Sequence, residues 1–162
     1  MLIPKPDELR NLLAKQGESL KKKLKKLKQK SPKNLDEQFN DLHEEAFEVY
    51  DCLSCGNCCK TTSPMLFEKD IERLSSYLKL KPGDFVEKYL FLDTDGIYAM
   101  KSTPCPFLDN DNYCSVYDHR PKACREFPHT NHRKMHTHLH LAAKNMEICP
   151  AVYAIVQKID IM

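Results

Sequence analysis

The sequence predicts an α+β fold that is mostly helical and irregular. Three observations carry this: a leucine stripe at helical spacing near the N-terminus, one clear hairpin, and cysteines confined to the chain after residue 50. The same composition shift divides the 162 residues into a helical extension over 1–50, first lysine-rich and then acidic, and a cysteine-rich domain over 51–162.

In the extension, Leu9, Leu13, Leu20, Leu24 and Leu27 recur at spacings of 3, 4 and 7, one stripe of an α-helix that Ser31-Pro32 should end or bend. Eight lysines and no acid lie between Lys21 and Lys33, and an acidic segment from Asp36 to Glu48 follows, with Leu42, Phe47 and Tyr50 expected to face inward. Opposite charge blocks suggest an antiparallel helical pair. A basic amphipathic helix also suits nucleic acid or an anionic membrane. With no aromatic residue interleaved to stack on bases, a solvated face is the favoured reading and nucleic acid is disfavoured. The N-terminal helices are then the natural docking element for a protein partner.

Beyond residue 60, Ser63-Pro64 should open a helix carrying Phe67, Ile71, Leu74 and Leu78, stopped by Lys81-Pro82-Gly83-Asp84. Asp84 can cap a short segment from Phe85 to Leu90. Asp95-Gly96 is a hairpin turn between 89–92 and 97–100, and Asp109 to Asn112 is a second turn, between 105–108 and 113–117. A short helix is expected over 121–127, and a closing helix over 151–159 begins at Pro150.

Balanced charge, 25 basic against 23 acidic side chains, selects no class of partner. The first seven residues are apolar for only three positions before prolines and charge, unlike a secretory signal, and no stretch approaches the roughly 20 apolar residues of a membrane span. A cytoplasmic protein with reduced thiols is expected. Four of the eight cysteines fall in the run Cys52-Leu53-Ser54-Cys55-Gly56-Asn57-Cys58-Cys59. Thiols two residues apart, with a glycine that lets the backbone curl, can turn inward on one metal. Disulfides fit poorly, because vicinal Cys58 and Cys59 cannot bridge each other without strain.

The run at Cys52 to Cys59, the element Cys105-Pro106-Phe107-Leu108, and the block from Cys114 to Pro128 containing Arg120-Pro121-Lys122-Ala123-Cys124-Arg125-Glu126-Phe127-Pro128 resemble the CxxCxxCC cysteine-cluster family of zinc- or iron-chelating domains. The similarity spans Cys52 to about Pro150. It implies a small metal-organised domain whose ligands are drawn from Cys52, Cys55, Cys58, Cys59, Cys105, Cys114, Cys124 and Cys149. It extends to flagellin lysine N-methylases, which carry a similar motif, so an enzyme or enzyme accessory is the alternative. The residues lean against independent catalysis: four glycines form no nucleotide loop, and no Ser, His and acid set stands out.

Eight thiolates can serve two four-ligand centres. Cys52, Cys55 and Cys58 repeat the CxxCxxC portion of bacterial ferredoxins, and Cys149-Pro150 has the form of the remote Cys-Pro that completes such a site, which favours a 4Fe-4S iron-sulfur cluster over Zn²⁺. Cys59, Cys105, Cys114 and Cys124 remain for a second centre, on the expectation that adjacent residues in extended chain point opposite ways. Arg120 and Arg125 flank Cys124 and either offset thiolate charge or pair with Asp118 and Glu126. Of the late histidines, His136, His138 and His140 alternate and would share one face of a strand, while His129 directly follows the Cys124 block.

Overall fold

The computed structural model describes residues 1–160. In chain order the helices are α1 (Pro6–Gln29), α2 (Leu35–Val49), α3 (Cys52–Cys55), α4 (Asn57–Thr61), α5 (Glu68–Tyr77), α6 (Pro82–Tyr89), α7 (Lys122–Glu126), α8 (Met135–Asn145) and α9 (Pro150–Lys158). Three short strands, β1 (Met65–Leu66), β2 (Leu90–Leu92) and β3 (Tyr98–Met100), form an antiparallel sheet of order β1-β3-β2. The fold is therefore mostly helical α+β. It divides into two compact units: residues 1–51 with the segment from Pro128 onward, and Cys52–Phe127.

The first unit is helical. Leu9, Leu20, Leu24 and Leu27 of α1 are buried, as the stripe requires, and Leu13 is half-buried beside Gly17. Both α1 and α2 lay their apolar faces on α8 and α9, where the expected pairing was of α1 with α2. The charge blocks find other partners: Lys21 reaches Glu147 at 2.7 Å, and Glu45 of α2 takes both Lys158 and the N-terminal amine at 2.7 Å. On α2 the buried residues are Leu35, Phe39 and Ala46, while Leu42, Phe47 and Tyr50 are only half-buried. The inward face is thus turned from the one read from the larger side chains, and α2 packs on α9, whose residues from Pro150 to Val156 are all buried.

The alternating histidines are not on a strand. They lie on α8, where a step of two residues rotates a side chain by about 200°, so His138 is half-buried while His136 and His140 are exposed. The N-terminus of α8 is capped by Asp36, whose carboxylate accepts the N–H groups of Lys134 and Met135, each at 2.7 Å.

The second unit is built on a cluster that includes Leu66, Leu74, Phe85, Leu90, Met100 and Phe107. Phe85, Tyr89 and Phe107 meet with ring centroids 5.0 to 6.4 Å apart. The hairpin forms as predicted, pairing Leu90 with Met100 and Leu92 with Tyr98. Gly96 takes φ +74°, and Asp93 Oδ1 accepts the N–H groups of Asp95 at 2.9 Å and Ile97 at 2.8 Å. Two boundaries differ from expectation. Ser63-Pro64 leads into β1, because Met65 and Leu66 pair with Ala99 and Tyr98, and the helix begins only at Glu68. Pro82 opens α6 at its first position, which places Asp84 within the first turn instead of at the cap.

Asp70 ties α5 to the cysteine loops. It is 2% exposed and accepts Arg73 Nη2 at 2.7 Å, the N–H of Phe67 at 3.1 Å and the N–H of Lys122 at 3.0 Å. Arg73 also donates to the carbonyls of His119 and Arg120, at 3.2 and 3.0 Å. Burial pushes the Asp70 carboxyl up, but Arg73 and the two backbone donors outweigh it and hold the group below its unfolded value of 3.8. The stabilisation is therefore complete above that value and is lost as pH falls through the lower folded one. Asp70→Asn is expected to cost about 2–3 kcal/mol near neutral pH. In urea unfolding the gap between variant and wild type should stay constant above about pH 5 and narrow below pH 4. A gap that widens with acid would contradict the assignment.

Candidate metal centre

The cysteine run folds as two short helical turns hinged at Gly56. Its φ of +59° lies in the left-handed region, where glycine carries no Cβ penalty, and its N–H closes α3 onto Cys52 O at 3.0 Å. A second constraint acts on the same atom. A Cβ at Gly56 would lie 3.0 Å from Asn112 Cβ, and Asn112 Nδ2 donates to Ser54 O at 2.9 Å, so the Asp109 to Asn112 turn seats directly on the knuckle. That turn is closed by Asn112 N–H to Asp109 O at 3.0 Å, and beside it Leu108 bridges Cys114.

Cys58 and Cys59 lie on α4, so their side chains diverge by about 100° and not by the half-turn of extended chain. Their sulfurs are 3.9 Å apart. From Cys59 the path leads to Cys105, whose N–H donates to Cys59 O at 2.7 Å. Cys105 and Cys114 then pack against the apolar cluster of the second unit, and Cys124 sits on α7, whose first turn is held by the Lys122 N–H to Asp70.

Electrostatics link the same thiols. The Cys58 thiol, opposed by burial and helped by Lys60, brings Cys59 down to about 7. Burial pushes Cys105 up to about 11 and Cys124 up to about 12, and the charge of Cys59 adds to both. Cys114 is raised by burial and by Cys59, with Arg120 opposing. These four sulfurs, from four separate segments, thus lie within one another's field. Among the described residues no disulfide joins any of the eight cysteines. Among the described residues, no three His, Cys, Asp or Glu side chains are already drawn in to the spacing of a closed metal site.

The donor chemistry nevertheless fits a soft or borderline cation. Half-buried thiols such as Cys105, Cys114 and Cys124, whose proton affinity is raised first by burial, become ligands when a metal supplies the missing positive charge.

The family model of CxxCxxCC, a "putative zinc- or iron-chelating domain", matches residues 51–150. The chain belongs to the CxxCxxCC family. No solved structure matches it. Among the described residues no helix is long and apolar enough to cross a membrane.

Within this CxxCxxCC protein, Cys52 is exposed, Cys55 is half-buried, and Cys149 is buried in the first unit at the entry to α9, its N–H bonded to Asn145 O at 2.7 Å. The two arginines separate in role. Arg120 lies 3.8 Å over the Tyr117 ring, donates to Tyr117 O at 2.7 Å and lowers the proton affinity of Cys114 and Cys124. Arg125 donates to Arg120 O at 3.0 Å, and Glu126 pairs instead with Lys122. Asp70 and Arg73 position the site without having stood out in the sequence as site residues, and Asn112 was expected only as a turn residue. The one clue to Asp70 is its place three residues after Phe67, the N-cap of α5, whose N–H it accepts.

Gly56→Ala combines a left-handed backbone with the Asn112 contact. It should cost about 1–2 kcal/mol, read as a lowered midpoint in thermal unfolding, together with a lower bound-metal content. An unchanged midpoint would show that neither constraint holds.

Proposed function

We propose that this CxxCxxCC protein is a cytoplasmic metal-binding protein whose eight cysteines hold two sets of ligands, with an iron-sulfur cluster of the 4Fe-4S type favoured over Zn²⁺. The observation that carries the reading is the main-chain bond from Cys105 to Cys59, which brings the CxxCxxCC knuckle against the loops bearing Cys105 and Cys114. On this reading Cys59, Cys105, Cys114 and Cys124 form one set, with Arg120 compensating its negative charge. Cys52, Cys55 and Cys58 belong to the other, and their CxxCxxC spacing supports iron. A cluster bound there would supply a one-electron redox couple. The chain's own contribution is to curl the knuckle at Gly56, seat it under Asn112 and hold α7 in place through Asp70.

Anaerobic purification followed by metal and sulfide analysis tests the choice of metal. A brown protein with iron and sulfide in equal amounts is expected, and a colourless protein holding zinc would overturn the iron assignment. Cys124→Ser should lower both bound metal and the unfolding midpoint, because ligand binding and folding are linked. Full metal retention by that variant would remove Cys124 from the ligand set.

A further inference from the structure

The buried leucines of α1 leave the opposite side of that helix to solvent, and that side is basic. Lys15, Lys22 and Lys26 stand on it, all exposed, in steps of 7 and 4 residues. The three side chains therefore fall within about 40° around the helix axis and about 16 Å along it. The apolar side of α2 likewise turns Glu37, Asp41, Glu44 and Glu48 outward, all exposed, in steps of 4, 3 and 4.

Neither stripe is neutralised within the chain. Among the described residues, the ion pairs of this unit join Lys21, Lys158 and the N-terminal amine to Glu18, Glu147 and Glu45, none of which belongs to either stripe. Like charges stand four residues apart at Lys22 and Lys26, at Glu37 and Asp41, and at Glu44 and Glu48, a spacing that weakens a helix. Packing keeps the two stripes apart. Both α1 and α2 lie on α8 and α9, and every residue of α9 from Pro150 to Val156 is buried. With α9 covered by α1 and by α2, the stripes face solvent on opposite sides of the unit.

The stripes also match. Glu37, Glu44 and Glu48 repeat the 7 and 4 spacing of the lysines, and with the helices antiparallel Glu48, Asp41 and Glu37 do the same. Two helices side by side thus bring three ammonium groups to three carboxylates in either direction. Other polyanions fit less well: α1 has no aromatic residue to stack on bases, and none of the exposed large apolar side chains lies on it to enter a bilayer.

We infer that the lysine stripe of α1 docks on the carboxylate stripe of α2 in a second copy of this chain. Because the stripes lie on opposite sides, the contact is head-to-tail. Each docked pair keeps a free lysine stripe at one end and a free carboxylate stripe at the other, and association continues with concentration. Exposed ion pairs are individually weak and screened by salt, so the assembly belongs to low ionic strength. It does not depend on which metal the thiols hold.

Sedimentation of the full chain, with its metal as purified, tests this. At an ionic strength of about 0.01 M, where screening reaches about 30 Å, the weight-average mass should climb with concentration to roughly double the monomer's or more. At about 1 M it should return to the monomer's. The Lys15→Gln, Lys22→Gln, Lys26→Gln variant and the Glu37→Gln, Glu44→Gln, Glu48→Gln variant should each stay monomeric at low salt. Mixed, they should form dimers and nothing larger, since only one complementary pair of stripes remains. Zero-length amine-to-carboxylate cross-linking of mixed ¹⁴N and ¹⁵N wild-type chains should join the lysine stripe of one copy to the carboxylate stripe of another, a readout that needs no variant to fold. A wild type that stays monomeric at low salt, including one that instead binds duplex RNA or anionic phospholipid vesicles, would overturn the proposal. So would association that survives the lysine substitutions, a mixture that stays monomeric, or the absence of that cross-link.

Discussion

The buried carboxylate of Asp70 is the constraint on which the cysteine-bearing unit depends. Short helices and loops cannot hold position by their own hydrogen bonding, since a helix of five residues has hardly more than a nucleus. The α7 turn that carries Cys124 is such a helix. Its place is set from outside, by Asp70 accepting the Lys122 N–H and by Arg73 bonding the carbonyls on the approach to it. A single ion pair on α5 thereby converts a flexible connection into a defined arm. The arrangement tolerates burial because both carboxylate oxygens accept hydrogen bonds, Oδ1 from Arg73 and Lys122 and Oδ2 from Phe67.

Against that frame, the apolar cluster and the thiols have complementary parts. Phe85, Tyr89 and Phe107 give the unit a small aromatic centre, and Cys105 and Cys114 pack on its edge. On the proposed ligand assignment, an ion shared by the loops would remove chain entropy where the core does not reach and would offset the mutual repulsion of the thiolates.

Much of the local structure was legible in the sequence because local chemistry decides it. The Leu9 to Leu27 stripe, the Asp95-Gly96 turn, the Asp109 to Asn112 turn and the helix at Pro150 all depend on residues within one element. The exceptions are places where a distant partner chose. Ser63-Pro64 carries a helix-opening pattern, yet Met65 and Leu66 are claimed by β3. His136, His138 and His140 alternate as a strand would, yet Asp36, about a hundred residues away, caps them into a helix. On α2 Leu42 and Phe47 yield the inward position to Leu35, Phe39 and Ala46, because the face is chosen by the packing of α2 on α8 and α9 and not by side-chain size. For the candidate site, the thiols were legible by type and spacing, but the helical turn that sets Cys58 beside Cys59 was not, since the five residues of α4 bear no periodicity. Nor does any local pattern announce a buried aspartate.

The entry to α9 bears on how one of these thiols behaves before any partner reaches it. Cys149 precedes Pro150, and the proline ring excludes helical geometry from the residue in front of it; Cys149 accordingly has φ −106° and ψ +115°. This restriction is covalent and operates equally in the unfolded chain. Cys149 therefore carries part of its final backbone orientation through synthesis and folding, and gives up less freedom than a neighbouring residue when the structure closes around it.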